Sequence, residues 1–160
     1  MTVVSYRSRH LSARNGDVRL AGQLWLPLGH PRAAVLMIPG SGPSDRHNDV
    51  FFPPIREHLL ANGIAVASFD KRGVGGSTGD WLSAGIVEQA DDALVSLELL
   101  SRSAELAGVA IGLFGHSQGG WVAVDAASRE RDVALAVTPA AQGCHQPSRS
   151  RLRSRMAFGD

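Results

Sequence analysis

Near the N-terminus hydrophobic and polar residues alternate, and further along they do not; that change of period separates two kinds of predicted strand. Two segments of strand character flank Arg14-Asn15-Gly16-Asp17, and an Asn-Gly pair between such segments is a strong hairpin signal. In the second segment Val18, Leu20, Gly22, Leu24 and Leu26 alternate with Arg19, Ala21, Gln23 and Trp25, which predicts a half-buried strand. An antiparallel hairpin therefore opens the fold.

After Pro27 and Pro31 the apolar residues come in unbroken runs, Ala33 to Ile38, Ile64 to Phe69, Val109 to Phe114 and Val133 to Val137. Runs without alternation belong to strands covered on both faces, as in parallel sheets. Helical signals lie between them. Pro53-Pro54 opens one helix and Asn62-Gly63 ends it, following the preference for proline at a helix start and glycine just past its end. A longer helix is predicted from about Ser83 to about Arg102, with Ile86, Ala90, Ala93, Leu97 and Leu100 at helical spacing. A third follows the run at 109–114. The expected fold is α/β, a doubly wound and mostly parallel sheet with an N-terminal antiparallel hairpin.

The third helix opens on Gly115-His116-Ser117-Gln118-Gly119-Gly120. A strand that turns sharply into a helix over one serine is the nucleophile-elbow pattern of serine hydrolases. The glycines have a mechanical role: a strained backbone at Ser117 brings the residues two before and two after it into near contact, where side chains at Gly115 and Gly119 would clash. The geometry exposes the serine Oγ and points the Gln118 N–H at the place where an oxyanion forms. The five-residue pattern alone proves little in a chain with 18 glycines. A second copy, Gly75-Gly76-Ser77-Thr78-Gly79, has no apolar run against it and no helical run after it, so Ser77 is read as turn chemistry.

Length and charge bound the alternatives. With 160 residues, 44% of them apolar, the chain suits one core better than two. A net charge of +1 argues against nucleic acid as a partner, and no apolar stretch reaches the roughly 18 residues of a membrane span. The N-terminus has no basic region followed by an apolar core, so no signal peptide is expected. The single cysteine, Cys144, excludes an internal disulfide. Cytoplasm is the expected compartment.

Pro39-Gly40-Ser41-Gly42-Pro43-Ser44-Asp45-Arg46 follows the first unbroken run. Ligands in such sheets sit outside the carboxyl ends of the strands, and a glycine-rich loop there can turn backbone N–H groups toward a developing negative charge. Ser41 or Gly42 is the candidate second oxyanion donor. Asp70-Lys71-Arg72-Gly73-Val74-Gly75-Gly76-Ser77 follows the next run, and Arg72 is expected to pair with Asp70 or with a loop carboxylate. Lys71 is the only lysine in an arginine-rich chain.

Taken in order, the Pro39 loop, the Asp70 loop and the Ser117 turn resemble the N-terminal half of the α/β-hydrolase superfamily, with the nearest likeness to bacterial esterase and serine-aminopeptidase-like members. The resemblance covers residues 1 to about 140 and implies a truncated α/β-hydrolase fold. It implies a serine that attacks the carbonyl of a small-molecule ester or amide, with no cofactor and no metal. Pro39 departs from the pattern, since many members carry histidine before the oxyanion-loop glycine.

Chain order in these enzymes is nucleophile, acid, then histidine. After Ser117 the only histidine is His145, too near in sequence to be the expected base. His116 is read as packing, and His10, His30, His47 and His58 precede the nucleophile; His47, on the oxyanion loop, is the one worth testing. Residues 141–160 form an irregular basic tail with arginine and serine alternating at 149–155, the composition expected of a shifted GC-rich frame. A truncated or frameshifted product is therefore the expectation. Two functional readings stand: a serine esterase or amidase built on Ser117, Gln118 and Ser41 or Gly42, and an incomplete fragment that binds acyl compounds or a partner without catalysis. Under the resemblance, Val133 to Val137 becomes a bare apolar edge suited to self-association.

Overall fold

The computed structural model describes residues 4–139, so the basic tail and His145 lie outside the described residues. In chain order the elements are β1 (Tyr6–Asn15), β2 (Val18–Pro27), β3 (Ala33–Ile38), α1 (Phe52–Ala61), β4 (Ile64–Phe69), α2 (Ile86–Ser101), a short 3-10 turn (Ala104–Leu106), β5 (Ile111–Gly115), α3 (Gln118–Arg129) and β6 (Val133–Val137). The strands form one sheet in the order β1-β2-β4-β3-β5-β6. β1 and β2 pair antiparallel about Asn15 and Val18, β2 meets β4 antiparallel, and β4, β3, β5 and β6 run parallel. This is the doubly wound sheet with an N-terminal hairpin that the periodicity predicts.

The two sheet faces carry separate cores. On one, Trp25, Met37 and Val66 of the sheet cluster with Phe52 and Leu60 of α1. On the other, residues including Leu24, Leu36 and Leu113 of the sheet cluster with Leu100 of α2 and Val122 of α3. β3 serves both: Leu36 and Ile38 face the second core and Met37 the first, which is why its sequence shows no alternation.

Four local expectations are corrected. Trp25, assigned by the alternation to the less buried set of β2, is only 3% exposed, because α1 covers that end of the strand and brings the Arg56 guanidinium 4.2 Å from the indole centroid. α2 begins at Ile86 rather than Ser83. Gly85 is its extended N-cap, and its N–H donates to Glu88 Oε2 at 2.8 Å, so the residues before it are turn. β5 starts at Ile111 rather than Val109, whose N–H closes the preceding turn on the Leu106 carbonyl at 3.0 Å. β6 pairs with β5 alone among the described residues, the edge position that the family likeness implies, and with Leu135 57% and Val137 43% exposed it is not covered on both faces as its unbroken run suggests.

The topology fixes where a site can form. β3 sits between β4 and β5, and the chain leaves it first to β4 on one side and then crosses to β5 on the other. The loops leaving the carboxyl ends of β3 and β5 therefore diverge from adjacent strands, the switch point at which doubly wound sheets open a crevice.

Candidate active site

The turn from β5 into α3 is strained in one place. Ser117 has φ 53° and ψ −120°, one of three non-glycine residues with positive φ among the described residues; such a conformation costs on the order of 1–3 kcal/mol and persists only when its surroundings enforce it. They do so from both sides. Gly115 pairs with Ile38 in the ladder, and the His116 N–H donates to the Ile38 carbonyl at 3.0 Å. Beyond the serine, Gly119 N–H donates to the His116 carbonyl at 2.8 Å and Gly120 N–H to the Ser117 carbonyl at 2.9 Å. A Cβ at Gly115 would overlap the Gly119 carbonyl and stand 2.5 Å from the Gly120 nitrogen, and a Cβ at Gly119 would overlap the Ile38 carbonyl. The bend is closed by backbone against backbone, and Ser117 is left exposed at its apex.

The loop after β3 faces this apex. Gly40, Ser41, Pro43, Ser44, Asp45, Asn48, Phe51, His116 and Ser117 are among the residues lining one open cavity of about 620 Å³. A Cβ at Gly40 would lie 3.5 Å from the Ser117 Cβ, so the loop and the turn touch. Among the described residues, the N–H groups of Gln118, Ser41 and Gly42 find no acceptor, whereas those of Gly40 and Ser44 are engaged by Asn48 Oδ1 at 3.2 Å and by the Gly42 carbonyl at 2.9 Å. Gly42 has φ +81° and does not line the cavity; Ser41 does.

Two residues that sequence reasoning passed over hold these loops together. Asn48, 5% exposed and with φ 46°, accepts from the Gly40 N–H and places its Nδ2 2.8 Å from His116 Nδ1. The His116 ring also stacks on Phe51 at 4.4 Å. Lys71, 8% exposed, donates from Nζ to the Gly40 carbonyl at 2.5 Å and from its backbone N–H to the Ser44 carbonyl at 3.1 Å. Burial pulls its ammonium down to a pKa of about 8. Its status as the only lysine was a visible signal; nothing in the local sequence marks Asn48.

The ion pairs differ from expectation. Arg72 pairs with Asp92 on α2, at 2.6 and 2.8 Å, and not with Asp70 or a loop carboxylate. Asp70 is taken by Arg46, at 2.7 and 3.0 Å, and by the N–H groups of Arg46 and Gly76. Burial alone would push the Asp70 carboxyl up, but those donors outweigh it and hold it below the usual carboxylate range. α2 packs close enough to capture Arg72, and the loop after β3 folds back to supply Arg46.

Ser77 is buried in its turn, donating to the Asp70 carbonyl at 2.7 Å and accepting from the Ala21 N–H at 2.9 Å. His47 does not line the cavity; its Nδ1 lies 3.4 Å from Arg56 and its ring meets Trp25 edge-on at 6.1 Å. Among the described residues no group of three or more His, Cys, Asp or Glu side chains converges to hold a metal ion. No helix among them is long and apolar enough to cross a membrane.

A strained serine at the switch point of a mixed sheet, entered from a strand and leaving as a helix, defines the α/β-hydrolase class. The chain belongs to the serine aminopeptidase S33 family, whose profile matches residues 29–157 and so continues through most of the tail segment. Among solved structures it is similar to DcsB in complex with a substrate analogue (24% identity, TM-score 0.72, covering 84% of this chain and 45% of that one). It is also similar to the Pyrococcus furiosus esterase Pf2001 (23%, 0.70, 82% and 50%). A third neighbour is Est1E of Butyrivibrio proteoclasticus with ferulic acid bound (22%, 0.69, 78% and 50%). The chain thus spans about half the length of these relatives. No functionally curated protein matches it.

Proposed function

We propose that this chain carries the nucleophilic half of a serine hydrolase acting on carboxylic ester or amide bonds. The single observation that supports this best is the positive φ of an exposed Ser117, held between Gly115 and Gly119, at the mouth of the cavity. In this reading Ser117 Oγ bonds to the substrate carbonyl carbon as its proton passes to a base. The carbonyl π electrons move onto oxygen, which the Gln118 N–H and the Ser41 N–H receive. Ser41 is preferred to Gly42 because it shares the cavity with Ser117. Collapse of the adduct expels the alcohol or amine with a proton, and water then releases the acid from the acyl-serine. Each oxyanion donor is worth about 10²- to 10³-fold in rate. No cofactor takes part in this scheme. A cytoplasmic setting belongs to the same proposal, and one cysteine needs no oxidising compartment.

One observation favours the second reading, binding without turnover. His116 Nδ1 is engaged by Asn48 and His47 Nδ1 by Arg56, and His47 does not line the cavity that holds Ser117, so neither Nδ1 is placed to serve Ser117. Loss of the base costs a serine enzyme about 10⁶-fold. Release of p-nitrophenol from a short-chain p-nitrophenyl ester, and of p-nitroaniline from an aminoacyl anilide, decides between them. Turnover that disappears in Ser117→Ala supports the hydrolase; turnover equal to Ser117→Ala supports binding alone.

The edge at β6 adds a partner to the proposal. Leu135 and Val137 are exposed on a strand paired on one side only among the described residues, which suits a second copy of the chain. Sedimentation should show a concentration-dependent dimer that Leu135→Lys weakens, and a monomer at all concentrations contradicts it.

A further inference from the structure

We infer that Lys71 is a positioning residue for the oxyanion site: by bonding the Gly40 carbonyl it aims and polarises the Ser41 N–H. The inference rests on the hydrolase reading and concerns a group that reading does not use.

The geometry begins with one peptide unit. The Gly40 carbonyl and the Ser41 N–H belong to the same planar amide, and no peptide bond among the described residues is cis. In a trans amide the two groups point in opposite directions. Lys71 Nζ sits on the buried side and holds the oxygen there at 2.5 Å. The N–H is thereby turned away from the interior, and Ser41 lines the cavity that Ser117 enters. The amide before it is fixed as well, since the Gly40 N–H is held by Asn48. The far end of the loop is tied to the same lysine, whose backbone N–H bonds the Ser44 carbonyl. One residue thus clamps both ends of the turn that carries Ser41.

Charge adds to direction. Among the described residues Lys71 has no carboxylate partner within ion-pair distance. Asp70 and Asp92, which line the small void of about 50 Å³ beside it, are held by Arg46 and Arg72. The rest of that void is largely apolar, with Leu20, Leu36, Ile38 and Phe69. An ammonium left to one carbonyl in such surroundings draws electron density through the amide and strengthens its N–H as a donor. Its charge also favours an oxyanion on the far side of the same amide. Two further titratable groups face this loop, Asp45, which follows Ser44, and His116, across Gly40, where a Cβ would lie 3.2 Å from Nδ1. Lysine gives this arrangement a switch that arginine would not, because its burial lets it lose the proton near pH 8.

The test has two arms, run on wild type, Lys71→Met and Lys71→Arg; Lys71→Met keeps His116 and so controls for it. In the first arm, the Gly40 carbonyl-carbon and Ser41 amide-proton resonances are followed from pH 6 to 10. They should move together with a midpoint near 8 in wild type and lose that step in both variants. In the second, the rate of Ser117 labelling by a fluorophosphonate is measured over the same range. Lys71→Met should slow it about 10²-fold at pH 7, the loss of one oxyanion donor, and Lys71→Arg should recover most of that. The ratio of wild type to Lys71→Met cancels the titration of any base and should shrink above pH 8. A folded Lys71→Met that labels at the wild-type rate, or Ser41 resonances blind to the step, overturns the inference alone. Wild type that labels no faster than Ser117→Ala overturns the hydrolase reading and this inference with it. If Lys71→Met fails to fold, the wild-type titration and Lys71→Arg still decide.

Discussion

The chain contains the same five-residue pattern twice, and the two copies do opposite things. At Gly75–Gly79 the central Ser77 is 8% exposed, with its hydroxyl spent on the Asp70 carbonyl and the Ala21 N–H. At Gly115–Gly119 the central Ser117 is exposed and has a positive φ. The difference lies outside the pattern. The Gly115–Gly119 copy has β5 before it, registered on β3, and a 12-residue helix after it; these lock the bend and set a helix N-terminus behind the serine, where its dipole favours negative charge. The Gly75–Gly79 copy joins a strand end to a loop, so its serine is free to satisfy the backbone nearby. The exposed, strained serine is thus a property of strand, bend and helix together.

The largest expected contrast is chemical. Ser117→Ala should remove Ser117-dependent turnover, about 10⁶-fold where a base is present, while Ser77→Ala should leave turnover in place. Ser77→Ala should instead lower stability by about 1–3 kcal/mol, because the half-buried Ala21 N–H loses its acceptor. Urea melts of the two variants check the stability half, and Ser117→Ala should not be destabilised in the same way.

The glycines extend the contrast to packing. Gly115→Ala forces a methyl into the backbone of Gly119 and should cost about 3 kcal/mol or more, with loss of the elbow. Gly79→Ala, with φ +94° and a side chain of Val18 as its nearest contact at 3.2 Å, should cost only about 1–2 kcal/mol, since the strain is local and Val18 can shift. Equal losses in thermal melts would show that the two bends are constrained alike.

The most gradual effect, spread over several pH units, concerns the lysine that links the first loop to the second. Lys71 has a pKa of about 8 in the fold against 10.5 when free, so between those values the unfolded chain binds the extra proton. Stability should therefore rise as pH goes from 8 to 10.5, by at most roughly 3 kcal/mol, and Lys71→Met should lose this rise. Asp70 works in the other direction. Its carboxyl is held below the usual range, so the stability it contributes is present at neutral pH and is lost as pH falls through its folded value. Urea midpoints across pH separate the two.

Most of the fold was legible because apolar run length reports burial on two faces, as at Ala33–Ile38 and Ile64–Phe69. Trp25 was misassigned because period two describes one strand and says nothing of α1, which covers the far end of β2. The partner of Arg72 was misread because Asp92 arrives only when α2 packs against that loop. At the candidate site, Ser117, Gln118 and the Ser41–Gly42 loop stand out through motifs that need particular residues at fixed offsets. Asn48 and Lys71 escaped because what they do depends on contacts across 8 and 31 residues to Gly40, and across 68 to His116, distances at which no local pattern operates.

The central claim is that backbone geometry, and not the presence of a G-x-S-x-G sequence, makes one serine oxygen reactive. Treating the folded protein with a fluorophosphonate and mapping the adduct by peptide mass spectrometry tests it most directly. The account predicts a single adduct on Ser117, absent from Ser117→Ala and unaffected by Ser77→Ala. An adduct on Ser77, or none on Ser117, would contradict it.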